Sequence, residues 1–246
     1  MILETTLTKL NQLKLSGMAE ALTEQTQGTI YTNLSFEERL GLLVDREMLT
    51  RDNRRLTNLL RGARLRYTHA CPEEIDFRTP RGLQKEVILS LMQNVWVKGK
   101  QNVIITGPTG SGKTFIACAL ANSGCRNGYS AHYIRMPRLL QEMNIARNDG
   151  SYGKHLTRLA KYAVLVIDDW GLAKLGEKER RDILEVLEDR HGITSTIISS
   201  QIPIEKWHDI IGDPTIADAV LDRLIHNAHI ITMKGESMRK LMTKSK

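Results

Sequence analysis

Leu3, Leu7, Leu10 and Leu13 recur three or four positions apart, and the stripe continues to Met18 and Leu22, so the chain opens on an amphipathic helix. Residues 28–34 read as a loop. Ser35 and Glu38 have capping-box spacing ahead of Leu40, Leu43, Val44 and Met48, which starts a second helix near Ser35 and carries it to about Leu65. Its apolar stripe drifts after Met48, predicting a bend near 50–53. Residues 1–66 therefore read as a small all-α domain. Residues 67–80, with Pro72 and Pro80, read as a linker, and 81–246 as the main domain, which begins with a helix over 82–94.

Further on, apolar runs and helical patterns alternate. The runs at 103–106, 129–134, 164–167, 194–199 and 228–233 predict strands. The patterns at 113–126, 137–147, 152–161, 177–191 and 215–226 predict helices, with Pro137 in a first helical turn. That alternation implies βαβ units, an α/β fold and a parallel sheet covered by helices on both faces. The length, 246 residues, suits one substantial domain with a smaller appendage.

The first strand and helix of that series enclose Gly107-Pro108-Thr109-Gly110-Ser111-Gly112-Lys113-Thr114. Strand, glycine loop and helix N-terminus together make a phosphate-binding loop. Glycine lets backbone N–H groups close on an anion, and the helix starting at Lys113 adds the positive end of its dipole. Lys113 is expected to reach the β- and γ-oxygens of ATP and Thr114 to ligate Mg²⁺. The second signal is the apolar run 163–167 ending in Asp168 and Asp169. Asp168 at a strand's carboxyl end is placed to hold the Mg²⁺ shell, and Asp169 to polarise an attacking water. The run T-S-T-I-I-S-S-Q over 194–201 is another buried strand ending in polar groups; Ser200, with Gln201 close behind, is the candidate for sensing the γ-phosphate.

Charge widens the picture. The net charge of +7 and pI near 9.4 permit an anionic partner. Arg51, Arg54, Arg61 and Arg64, with Arg55 beside them, would form a basic ridge on one helix, suited to phosphate contacts and salt-dependent duplex binding. Arg135, Arg138, Arg147, Lys154 and Arg158 form a second cluster ahead of the Asp168 strand. No aromatic residues interleave with either group, which favours duplex over single-stranded DNA. Cys71, Cys118 and Cys125 are far apart and lack metal-ligand spacing. No apolar run approaches a membrane span, so a cytoplasmic protein is expected.

Taken together, the loop 107–114, the Ile167-Asp-Asp-Trp-Gly171 turn, the 196–201 strand, Asp222-Arg-Leu224 and Lys234-Gly-Glu-Ser-Met-Arg239 resemble the IstB-type AAA+ ATPases. These are encoded beside a transposase in bacterial insertion sequences and are relatives of the DnaC helicase loaders. The resemblance covers nearly the whole chain, including 7–22 and the Arg54-Arg55-Leu56 region. It implies a sheet in the order 5-1-4-3-2 and a homo-oligomer sharing each ATP between subunits. It also implies duplex target DNA and a cognate transposase as partners, with helicase loading as the alternative function. Arg223 matches the family's trans-acting arginine finger, with Arg190 as a rival from the residues alone. Two departures stand out: Asp169 occupies a position where most AAA+ proteins carry glutamate, implying slow or partner-stimulated hydrolysis. Only 13 residues follow Met233, too few for a helical lid, so Arg239 is the candidate to contact nucleotide from the tail.

Overall fold

The computed structural model describes residues 2–235, 237 and 238. The chain divides into two compact units between Asn58 and Leu59. The first contains α1 (Ile2–Gln12), α2 (Ser16–Gln27) and most of α3 (Phe36–Ala63). The single helix expected over the first leucine stripe is interrupted. Lys14 adopts φ 59°, and Leu15 N–H bonds back to Leu10 C=O at 2.8 Å, closing α1 before α2 begins. The start of α2 is fixed from a distance: the Glu47 carboxylate, on α3, accepts from Gly17 N–H at 2.8 Å and Met18 N–H at 3.2 Å. A Cβ on Gly17 would sit 2.8 Å from the Arg46 carbonyl, so only glycine allows α2 this close to α3. The capping box forms as its spacing requires, with Glu38 N–H to Ser35 Oγ at 3.2 Å and Ser35 N–H to Glu38 Oε2 at 2.7 Å. α3 then continues without interruption through 50–53, and the division between the units falls within it.

The second unit contains α4 (Lys85–Met92), α5 (Val95–Lys98), β1 (Asn102–Thr106), α6 (Lys113–Arg126), β2 (Ala131–Arg135), α7 (Met136–Asn148), α8 (Tyr152–Ala160), β3 (Val164–Trp170), α9 (Glu177–Glu188), β4 (Ser195–Ser200), α10 (Trp207–Ile211), α11 (Pro214–Ile225) and β5 (Ala228–Thr232). Its five strands are parallel and lie in the order β2-β3-β4-β1-β5, the 5-1-4-3-2 sheet read from the other edge. The central strands are almost wholly apolar because both faces are covered. Ile104, Ile134, Leu165, Ile167 and Ile198 join a core with residues of α7, α9, α10 and α11. The alternating Val103, Ile105, Val166 and Ile197 are equally buried, and α6, with Ile116–Ala121 inaccessible, packs against β1 to β4. Parallel register brings the carboxyl ends of the strands together: Arg135 lies opposite Asp168, and Thr106 opposite Ser200 and Thr232. Among the described residues no helix is long and apolar enough to cross a membrane.

Candidate functional site

The loop between β1 and α6 sits at that common edge. Gly107 has φ 147°, and a Cβ there would come within 2.5 Å of Met233 C=O; at Gly110, φ 82°, it would strike the Ser237 hydroxyl. Met233, Ser237 and Met238 lie against the loop, with Met238 N–H donating to Gly110 C=O at 2.9 Å. α6 begins at Lys113 without a side-chain cap, which leaves its first N–H groups for a ligand. Lys113 Nζ donates to the Gly107 and Pro108 carbonyls at 2.7 and 2.8 Å, folded back over its own loop. Burial holds its pKa below the usual lysine value, against the pull of Asp168 and Asp169.

Asp168 is fully buried yet surrounded by hydroxyl donors. Thr114 Oγ1 lies 3.1 and 3.0 Å from its two oxygens, Tyr133 Oη donates to Oδ2 at 2.6 Å, and Ser199 Oγ donates to Oδ1. The next residue is aimed differently. Between Ile167 and Trp170 the β3–β4 register slips by one residue, and Asp169 takes φ 60°. Such a bulge re-aims a side chain. It turns Asp169 towards Arg135 at the end of β2, whose Nε lies 2.6 Å from Oδ2.

Strand parity decides which residue of β4 faces the loop. Ser199 and Gln201 line the cleft; Ser200 does not. Its hydroxyl donates to Trp170 C=O at 2.9 Å and accepts from Ile202 N–H at 3.0 Å, on the opposite face. Gln201 Oε1 accepts from Thr109 Oγ1 at 2.6 Å, joining β4 to the loop.

The other wall comes from 66–81, the stretch whose prolines suggest a linker. Arg66, Tyr67, His69, Asp76 and Arg81 face the loop across a cleft of about 470 Å³. Tyr67, His69 and Phe115 have ring centroids 5.9–6.0 Å apart, an apolar end suited to a heteroaromatic base. Arg81, 3% exposed, donates to Ser111 C=O at 3.1 Å and Asp76 C=O at 2.6 Å, fixing the wall to the loop. Only Asp76, which binds Thr79 and Arg78 in a turn ahead of Pro80, marked this order in the sequence.

The remaining candidates are dispersed. Arg223, on α11, pairs with Glu188 of α9 and donates to Ala219 C=O at 2.8 Å. Arg190 is 1% exposed and therefore no candidate for reaching another subunit. Its guanidinium is spent on the Leu159, Tyr162 and Ser195 carbonyls and Thr196 Oγ1, and burial pushes its pKa down to about 9. Arg239 lies outside the described residues. Of the basic ridge, Arg51 pairs with Glu47 at 2.7 Å, while Arg54, Arg55 and Arg61 are exposed on α3. Arg64 falls beyond the helix, at φ 50°, so it is not on the helical face expected for it. The second cluster is largely neutralised: Arg138 with Glu142 at 3.0 Å, Arg147 with Asp182 at 2.5 Å and over the Tyr152 ring, Arg158 with Glu142 at 3.7 Å. Lys154 is exposed.

The donor set fits a hard divalent cation. A hydroxyl and a carboxylate, Thr114 and Asp168, converge beside a glycine cradle that a side chain would fill, and Mg²⁺ prefers oxygen ligands with the rest drawn from phosphates. Among the described residues no cluster of three His, Cys, Asp or Glu offers an all-protein metal site.

The family model described as "IstB-like ATP binding protein" matches residues 8–246. An insertion-sequence ATP-binding protein of Sinorhizobium fredii is 46% identical over 240 residues, spanning 98% of both chains. The corresponding protein of insertion sequence IS1162 in Pseudomonas fluorescens is 51% identical over 203 residues, 82% of this chain and 88% of its own. Among solved structures, DnaI aligns with TM-score 0.58 at 18% identity, over 72% of this chain and 93% of its own. The DnaC helicase loader aligns with TM-score 0.53 at 19% identity, over 65% and 95%.

Proposed function

The chain belongs to the family of IstB-like ATP-binding proteins, and we propose that it is an ATP-dependent, DNA-binding regulator of transposition. It would assemble on duplex target DNA and present that DNA to its partner transposase. The observation that carries this reading is the convergence of Lys113, Thr114, Asp168 and Asp169 on one cleft within a family named for ATP binding. The names of the relatives place them in insertion sequences, which supports transposition as the setting.

ATP entering the cleft seats its base by Tyr67, His69 and Phe115 and its phosphates on the loop. Lys113 then exchanges two backbone carbonyls for phosphate oxygens. Thr114 and Asp168 would hold a divalent cation, which would supply charge neutralisation at the γ-phosphoryl group. In hydrolysis a water attacks the γ-phosphorus, the bond to the bridging oxygen breaks, and ADP and phosphate result. Asp169 orients that water. Its pairing with Arg135 keeps the carboxylate turned aside, so an isolated subunit is expected to turn over slowly. Arg223 serves a neighbouring subunit's site once it leaves Glu188. Arg54, Arg55 and Arg61 supply phosphate contacts, giving affinity with little sequence preference.

Particle size and duplex-DNA binding, measured with ATP-Mg²⁺, with ADP and without nucleotide, test this reading. Large DNA-bound assemblies only with ATP are the expected result. An ATP-insensitive monomer indifferent to duplex DNA would overturn it in favour of helicase loading.

A further inference from the structure

Asp168 is the most enclosed charge of the cleft, and its orientation is controlled from an unexpected side. Tyr133 stands on β2 opposite Val166, two residues before Arg135, which lies opposite Asp168. Residues two apart share a face, and a diagonal neighbour on the next strand is within reach of an aromatic side chain. The Tyr133 hydroxyl accordingly reaches Asp168 Oδ2 at 2.6 Å, shorter than either contact from Thr114. That hydroxyl has one proton to donate and lone pairs to accept with. Its proton goes to Asp168, and the Arg66 guanidinium stands near the phenol.

Arg66 is next to Tyr67 of the aromatic end and itself lines the cleft. Thr114 and Ser199 also hydrogen-bond Asp168, but Thr114 lies farther off, at 3.0 and 3.1 Å, and Ser199 holds only Oδ1. Tyr133 makes the closest contact to Oδ2.

We propose that Tyr133 is a positioning residue that holds the Asp168 carboxylate in the orientation a nucleotide-bound Mg²⁺ requires. This rests on the nucleotide reading of the cleft. Second-layer hydrogen bonds to metal ligands typically change metal affinity about 10- to 100-fold when removed.

The test is a Mg²⁺ titration of the full chain with a fluorescent ATP analogue, following nucleotide binding rather than turnover. For Tyr133→Phe, affinity in EDTA should stay within about twofold of the wild type. The Mg²⁺ concentration giving half-maximal tightening should rise about tenfold, the low end of the range for such partners. Arg66→Gln, which leaves the ring in place, should shift it the same way by a smaller factor. Asp168→Asn is the reference, losing most Mg²⁺ dependence. Wild-type Mg²⁺ dependence in both Tyr133→Phe and Arg66→Gln, with Asp168→Asn impaired, would overturn the positioning role alone. Absence of nucleotide binding by the wild type, or Mg²⁺ dependence unchanged in Asp168→Asn, would overturn the nucleotide reading first. Equal weakening with and without Mg²⁺ would reduce Tyr133 to a packing residue, also against the proposal.

Discussion

The two units of this chain solve the same problem in opposite ways. The second buries its strands completely: Val103–Ile105 and Val164–Ile167 are inaccessible, and even its charged residues, Asp168 and Arg190, are enclosed and hydrogen-bonded. In the first, the buried apolar side chains among the described residues are Ala19 and Ala21, while Phe36 is 74% exposed and Ile30 75%. A unit with so little interior is held by close backbone approach at Gly17 and by the Glu47 cap rather than by a core. It leaves apolar and cationic side chains at the surface, where a partner can bury them. One unit is organised around a ligand inside it, the other around surfaces outside it.

The largest effect expected from this contrast is at Lys113. Lys113→Ala should weaken ATP binding more than a hundredfold, because among the described residues no other lysine reaches the loop carbonyls that mark the phosphate seat. DNA binding without nucleotide should stay within about twofold of the wild type. Isothermal titration with ATP and a filter-binding assay with duplex would read the two effects. Equal loss of both would erase the proposed division of labour.

The cleft was legible in the sequence where its chemistry is local. Lys113, Thr114 and Asp168 announce themselves by loop spacing and by an apolar strand ending in acids; Thr114 meets Asp168, and Lys113 folds over the adjoining loop. Where parity or distant pairing decides, the sequence was silent. Ser199 and Ser200 differ by one position, and only the sheet's orientation tells that the first faces Asp168 and the second Trp170. Tyr133 and Arg81 act on partners about thirty residues away, across strands, with no motif to mark them. The prolines of 67–80 gave a linker, although that stretch is pinned down by Arg81 and Asp76. The break between α1 and α2 lacks glycine or proline at Lys14, and its cause, Glu47, sits on another helix.

A smaller effect separates the two groups of arginines. Arg54 and Arg61 are exposed and have no acidic partner among the described residues, whereas Arg138 and Arg158 share Glu142. Arg54→Ala with Arg61→Ala should weaken duplex binding about tenfold at physiological salt and lower the slope of log K against log salt by about 2. Arg138→Ala with Arg158→Ala should change affinity about twofold, since each charge removed already has a counter-charge. The reverse ranking would move the DNA surface from α3 to the segment before β3.

The smallest effect lies in the first unit and reads its stability by pH. The Glu47 carboxylate accepts from Arg51 at 2.7 Å and from two N–H groups at the start of α2. Those bonds, Arg51's foremost, hold its pKa below the ordinary glutamate value. A carboxyl with a depressed folded pKa stabilises the native state above its unfolded value of about 4.3, and that stabilisation fades as pH falls from there through the folded value. Hydrogen exchange of the α2 amides should therefore be protected at pH 7 and lose protection as pH falls below about 4.3. Glu47→Ala should lower protection at pH 7 by about 5- to 30-fold, the equivalent of losing a helix cap of about 1–2 kcal/mol, and should flatten the pH dependence. Amides of α6 in the second unit, which Glu47 does not touch, are the internal comparison. If they lose protection together with α2, the two units unfold as one and the contrast between them concerns surfaces alone.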